Sequence, residues 1–211
     1  MTKYIIGAIF IVLAGAVGYY VWTIMGDVAS PPTDQTPVVQ QPLVRTYATS
    51  TYSIAYPPEF TIDEGYSYDQ FQGKPIAGVK FTVPMQMATG TNLSATSYVS
   101  VEQLPRALSC AGDIYVVPNV RPRDISEGST IYSVATTTEG AAGSTFEEQV
   151  WAIKGSKPCT AIRYFIRTAQ MVNFEAGAVR EYDRAALLLA FDEIRRSLVL
   201  STTATSTALT P

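Results

Sequence analysis

The sequence predicts an α+β protein: an N-terminal transmembrane helix, then an antiparallel β-sheet domain with a C-terminal amphipathic helix packed on it. Three observations lead to this prediction. Residues 4–26 form an apolar run that has no charged side chain. Short segments of alternating apolar residues, separated by turn residues, begin at Tyr47. A single apolar stripe with helical spacing follows Tyr182 near the end of the chain.

The apolar run is long enough to cross a membrane. Its 23 residues lie between Lys3 and Asp27, and as a helix they would reach roughly 34 Å, against a hydrocarbon core of about 30 Å. The alternative is a cleaved signal peptide with its cleavage site at residues 14–16, Ala-Gly-Ala. Because the run continues to Met25 and carries Trp22 near its far end, the sequence favours an uncleaved anchor over residues 1–26.

The charges that flank the anchor predict its orientation. Lys3 and the amino terminus lie on one side and Asp27 on the other, so the positive-inside rule places the remainder of the chain outside the cytoplasm. We therefore expect a single-pass protein of the cytoplasmic (inner) membrane with its domain in the periplasm or at the cell exterior. Residues 27–46 hold four prolines and few large apolar residues, which predicts an extended linker.

Residues 47–200 are expected to form one domain. The alternation of Tyr52, Ile54 and Tyr56 indicates a half-buried strand. Further strand candidates are residues 76–83, 97–104, 114–117, 131–135, 145–153 and 161–169. Residues 155–158, Gly-Ser-Lys-Pro, are a plausible hairpin connection between the last two candidates.

The clearest helix is the last element. Leu187, Phe191, Ile194 and Leu198 lie on one face at helical spacing, and basic residues 195–196 stand at its end, where the helix dipole favours cations. Residues 201–211, rich in Thr, Ser and Ala, predict a disordered tail.

Two segments near the ends of the domain resemble a known family. Residues 56–60, Tyr-Pro-Pro-Glu-Phe, and residues 191–198, Phe-Asp-Glu-Ile-Arg-Arg-Ser-Leu, are similar to the ends of PsbP-like domains. This family includes many uncharacterised bacterial membrane-anchored exported proteins. The resemblance implies an antiparallel sheet flanked by helices and a role as an assembly or binding module. It implies no functional residue, because the matched positions are ones that form the fold.

The two cysteines, Cys110 and Cys159, both fall in the predicted exported domain. A pair with no third thiol in an oxidising compartment predicts a disulfide. A redox-active thiol is the alternative, but the chain has neither a histidine nor a Cys-x-x-Cys spacing to support one. The disulfide is therefore favoured.

The absence of histidine excludes the most common catalytic arrangements. We predict no catalytic residue, no cofactor and no metal site. The net charge of −3 also argues against a nucleic-acid partner. Glu147 and Glu148 are adjacent on a predicted strand and therefore point to opposite faces. One of them is expected to form a cross-strand salt bridge with Arg163 or Arg167.

An aromatic cluster is the strongest candidate for a binding site. Tyr66, Tyr68 and Phe71 lie in a polar stretch, where they predict either an exposed patch that contacts a partner or packing at the edge of the core. The function predicted is a non-catalytic interaction module of the cell envelope, with an envelope protein or a glycan as partner. The alternative is a histidine-free hydrolase that acts on envelope polysaccharide through two carboxylates.

Overall fold

The computed structural model describes residues 44–201, and in this part of the chain β-strands dominate. The strands are β1 (Arg45–Ala48), β2 (Tyr52–Tyr56), β3 (Thr61–Asp63), β4 (Ser67–Tyr68), β5 (Ile76–Thr82), β6 (Tyr98–Leu104), β7 (Arg123–Glu127), β8 (Thr130–Ala141), β9 (Ser144–Ile153), β10 (Cys159–Ala169) and β11 (Val199–Leu200). The α-helices are α1 (Met85–Ala88) and α2 (Arg184–Arg196), and short 3-10 helices occupy Gly112–Tyr115 and Met171–Asn173.

The predicted α+β class, with its transmembrane helix, is wrong for the structure described, which is built mainly of sheet. Helix α2 has 13 residues, whereas α1 has four and supplies little of the fold. The predicted membrane anchor, residues 1–26, lies outside the described residues, as do nearly all of the predicted linker and tail. Between residues 44 and 201, no helix is both long and apolar enough to cross a membrane.

The larger sheet has eight strands in the order β3-β5-β6-β10-β9-β8-β7, with β4 also paired to β5. The neighbours along this order are antiparallel. Strands β9 and β10 form the predicted hairpin around residues 155–158, and Ala152 lies opposite Ala161. This hairpin places the centre of β10 between β6 and β9, where its side chains are most deeply buried.

A smaller sheet, in the order β1-β2-β11, brings the two ends of the domain together. The hydroxyl of Ser197, at the end of α2, donates to the Ala55 carbonyl and accepts from the Ala55 amide, both at 2.9 Å. Strand β1 begins at Arg45, so the domain starts inside the segment predicted as linker, residues 27–46.

One face of the larger sheet packs against α2 and the smaller sheet. Asp183 caps the start of helix α2: its Oδ1 accepts a hydrogen bond from the Ala186 amide at 2.9 Å. Its buried stripe includes Leu187, Phe191 and Ile194, each no more than 2% exposed. These side chains join the larger hydrophobic core of the domain.

The opposite face of the larger sheet is partly covered by residues 105–120. The Cys110–Cys159 disulfide attaches this segment to the start of β10, and the Tyr115 hydroxyl donates to the Cys159 carbonyl at 2.7 Å. Gly112 allows the close approach, because a Cβ at this position would lie only 2.7 Å from the Ala135 amide nitrogen. The segment was expected to contain a strand at 114–117, but it forms a loop with a 3-10 turn.

Candidate binding face

A buried arginine organises the partly covered face of the sheet. Arg163, at the centre of β10, is 0% exposed. Its Nε and Nη2 donate to the two carboxylate oxygens of Glu102, each at 2.8 Å. Its Nη2 also donates to the Tyr115 carbonyl at 2.6 Å, and its Nη1 pairs with Glu148 on β9. The predicted cross-strand salt bridge between Glu148 and Arg163 is therefore present.

The charged groups of this network shift one another's pKa values. Burial alone would lower the pKa of Arg163, but the Glu102 charge and hydrogen bonds outweigh it and raise that pKa. Burial raises the pKa of Glu148, although Arg163 and the Tyr68 hydroxyl act against the shift. Folding therefore favours protonation of Glu148, and 14% of its side chain remains exposed.

The structure divides the predicted aromatic patch. Tyr68 is only 4% exposed, so for this residue the alternative of packing in the core holds and that of an exposed patch does not. Its hydroxyl donates to the Glu148 carboxylate at 3.1 Å, and its ring lies 3.5 Å from the Arg163 guanidinium carbon, which together hold it inside. Tyr66 and Phe71 are half-buried and pack against the hydrophobic cluster that contains Tyr68. Of the three residues, only these two remain available to contact a partner directly.

Tyr66 is the first member of a row of rings that crosses the sheet. We define the aromatic row as Tyr66, Tyr98, Phe165 and Phe146. Successive ring centroids are 5.4, 4.9 and 6.2 Å apart. The Tyr98 and Phe165 rings are stacked at 16°, because the two residues are register partners on β6 and β10. Tyr66, Phe165 and Phe146 are each half-buried, so part of the row remains accessible from outside.

The aromatic row joins the buried network. The Tyr66 hydroxyl lies 2.9 Å from the Tyr98 hydroxyl and donates to Glu102 at 3.3 Å. Burial raises the pKa of both tyrosines, so they remain protonated donors at neutral pH. The buried ions therefore fix the position of Tyr66.

A cation stands at each end of the row. The Lys80 ammonium lies 5.2 Å from the Tyr66 ring centroid, and the Arg167 guanidinium lies 5.5 Å from that of Phe146. Lys80 also pairs with Asp63 at 3.2 Å. Arg167 is exposed and forms no ion pair with a carboxylate among residues 44–201. The open part of this face thus combines half-buried aromatic rings with an exposed guanidinium that can bind an acceptor.

A second buried arginine lies on the opposite face of the larger sheet, where its bonds stabilise the fold. Arg195 is 1% exposed, although the sequence placed it at a helix end. Its Nη1 and Nη2 donate to the two Glu127 oxygens at 3.0 and 2.9 Å, and its Nε donates to the Tyr164 hydroxyl at 2.8 Å. Its guanidinium lies 4.0 Å from the Trp151 ring. These bonds connect α2 to the end of β7.

The two adjacent glutamates point apart as expected. Glu147 pairs with Arg184 at 2.5 Å on the α2 side, whereas Glu148 meets Arg163. Within residues 44–201 no group of three or more potential ligand side chains is arranged to hold a metal ion. The glutamates therefore serve separate ion pairs and do not line one cleft together.

Sequence reasoning missed Tyr98, Phe165 and Phe146. Each alternates onto the partly covered face of its own strand, but only the pairing of β6 with β10 and β10 with β9 brings them side by side. The sequence does show aromatic residues at corresponding positions of several strand candidates. Predicting that they form a row would also have required the order of the strands in the sheet.

Comparison of the chain with protein-family models gives no match, and comparison with curated proteins gives none either. A solved structure that resembles it is a protein from Bacteroides thetaiotaomicron VPI-5482, determined at 1.50 Å resolution. The alignment covers 72% of this chain and 46% of that chain, with 9% sequence identity and a TM-score of 0.38. The chain therefore spans less than half the length of that protein, and a likeness of this size carries no functional argument.

Proposed function

We propose that the chain is a membrane-anchored extracytoplasmic binding module of the cell envelope, and that it contacts an envelope protein or glycan through the aromatic row. The observation that supports this proposal most directly is the aromatic row itself. Four neighbouring rings cross the partly covered face of the larger sheet, and a buried ion network holds Tyr66 in place. Aromatic side chains fixed in this way lose little conformational entropy on binding and are common energetic centres of interfaces.

Two further observations support the location. The Cys110–Cys159 disulfide is formed, which is consistent with an extracytoplasmic protein. The uncharged apolar run of residues 4–26 supports attachment to the membrane. The resemblance of the domain ends to PsbP-like proteins, which mostly serve as assembly or binding modules, agrees with a non-catalytic role.

The alternative, a carboxylate-dependent hydrolase, has less support. Glycoside hydrolysis needs two carboxyl groups that face a sugar from opposite sides. Here Glu102 is 0% exposed, and both it and Glu148 are bonded to the same guanidinium. This arrangement favours a structural role for the two acids.

A crosslinking pull-down of the full-length protein from its native envelope tests the proposal. The variant Phe146→Ser/Phe165→Ser removes the two half-buried rings at one end of the row. The matched control, Val172→Ser/Leu189→Ser, removes two exposed apolar side chains elsewhere, 85% and 58% exposed. We expect the row variant to recover about tenfold less of a stoichiometric partner, equivalent to about 1.4 kcal/mol, and the control to match wild type.

Equal recovery by the row variant and wild type would contradict the proposal. Urea unfolding of both variants shows whether the domain is still folded, so that a loss of binding is not confused with a loss of structure. A variant limited to Phe146→Ser provides a milder change at the end of the row if the double variant unfolds.

A further inference from the structure

The inner part of a groove lies between the smaller sheet and the larger one. Its floor includes Val101 and Gln103 of β6, and one wall is formed by Tyr47 and Tyr52 of the smaller sheet. The cavity volume is about 410 Å³. An apolar, aromatic-lined cavity of this size with few polar groups has the composition of a binding site.

The groove continues into the loop after β6. Pro75 and Pro105 line both its inner part and an outer part formed by residues 104–109. Leu108, in the outer part, is fully exposed at 106%. It lies two residues before Cys110, whose disulfide ties the loop to β10. The loop thus exposes a large apolar side chain close to the disulfide that anchors the loop to β10.

The charge around the groove has one sign. Lys74 and Arg106 line its outer part, and no carboxylate side chain lines either part. Neither cation takes part in an ion pair with the acids of residues 44–201. The surface therefore combines an apolar groove with two positive charges that form no ion pair within residues 44–201, although the whole chain carries a net charge of −3.

We propose that this groove binds an extended segment of a partner protein in which apolar side chains are accompanied by carboxylates. The apolar side chains fill the space beside Tyr47 and Tyr52 and cover Leu108, and the carboxylates meet Lys74 and Arg106. A groove that is lined by both sheets and continues along the loop fits a peptide chain, whereas a flat membrane surface would reach Leu108 without entering the inner part. This site is separate from the aromatic row and does not depend on it.

Site-specific photocrosslinking in the native envelope tests this inference with the full-length protein. Benzoylphenylalanine replaces Leu108, and a control carries it at Val172, which is 85% exposed and outside the groove. Each is made with and without Lys74→Glu/Arg106→Glu. We expect a protein adduct at position 108 that falls at least fivefold on charge reversal and weakens at high salt, because exposed ion pairs are screened. The adduct is digested, and its crosslinked peptide is sequenced.

The inference is supported only if the captured peptide is apolar and acidic and its capture depends on both cations. An adduct with lipid alone would assign the loop to the membrane surface, and an adduct with the same chain would assign it to self-association; either overturns the proposal. Capture that is unchanged by charge reversal, or equal at the control position, overturns it as well. Because Phe146 and Phe165 are intact here, these outcomes leave the test of the aromatic row unaffected.

Discussion

At the residue scale, the buried Arg163 guanidinium bonds to two carboxylates and a backbone carbonyl. We predict that Arg163→Met lowers the free energy of unfolding by about 3–5 kcal/mol, because Glu102 is left as an unpaired buried charge. Arg163→Met/Glu102→Met should recover part of that loss, since a whole buried pair is often replaceable by apolar side chains. Urea unfolding monitored by tryptophan fluorescence measures both.

Arg167→Met is the matched control, because Arg167 lies on the same face of the same strand but is exposed. Its expected effect is within about 0.5 kcal/mol. A loss below 1 kcal/mol for Arg163→Met would contradict the role assigned to the buried network.

The Glu127–Arg195 pair predicts a pH dependence. Hydrogen bonding to Arg195, together with its charge, lowers the pKa of Glu127 from its usual value of 4.5. A carboxyl group whose pKa is lowered by folding stabilises the fold above its unfolded pKa, and this stabilisation is lost as the pH falls through the folded pKa. We therefore expect Glu127→Gln to cost about 1–2 kcal/mol at pH 7 and less as the pH falls below 4.5.

Urea midpoints measured from pH 7 down to about pH 3 at constant ionic strength follow this dependence. If the urea midpoint of Glu127→Gln changes with pH in parallel with that of wild type over the whole range, the charge of Glu127 contributes nothing to stability.

Some of these residue roles were accessible from the sequence and some were not. The Glu148–Arg163 bridge follows from two strands joined by a short turn, because adjacent antiparallel strands fix which faces meet. The burial of Arg195 was not accessible, because a basic residue at a helix end looks solvent-exposed in the chain. Its environment depends on Glu127, which is 68 residues away.

At the scale of elements, the start of helix α2 gives a local test. Asp183 is exposed, and its carboxylate caps the Ala186 amide. We predict that Asp183→Ala lowers the free energy of unfolding by about 1 kcal/mol and that Asp183→Asn costs much less, since asparagine also caps well. Glu181→Ala, at an exposed position before the cap, is the control, and thermal unfolding distinguishes the three variants. Equal losses for the alanine and asparagine variants would rule out a capping role.

The elements differ in how well their patterns predicted them. Helix α2 and the β9–β10 hairpin follow from periodicity and turn chemistry, which are local. Strand β7, Arg-Asp-Ile-Ser-Glu, was missed because an edge strand need not be apolar. Residues 114–117 are apolar because they cover a face of the larger sheet. In the sequence, such an apolar run resembles a buried strand. The predicted α+β class gave too much weight to one helix for the same reason: the pattern reports burial more directly than it reports architecture.

For the whole molecule, the disulfide connects the covering segment to the sheet across 49 residues. We predict that Cys110→Ala/Cys159→Ala lowers the free energy of unfolding by on the order of 4 kcal/mol, because the unfolded chain regains the entropy of an open loop. Urea unfolding under non-reducing conditions compares it with wild type. Unchanged stability would show that the loop contacts, including the Tyr115 hydroxyl bond, hold the segment without the crosslink.

The most direct test of the proposed function is oxidative footprinting of the aromatic rings in the native envelope and in the purified protein. Phe146 and Phe165 should be labelled several-fold less in the envelope, because a partner covers the row. Tyr182, half-buried at the start of α2, should be labelled equally in both samples. Equal labelling of Phe146 and Phe165 in the two samples would mean that nothing occupies this face, and it would contradict the proposal that the row is the binding surface.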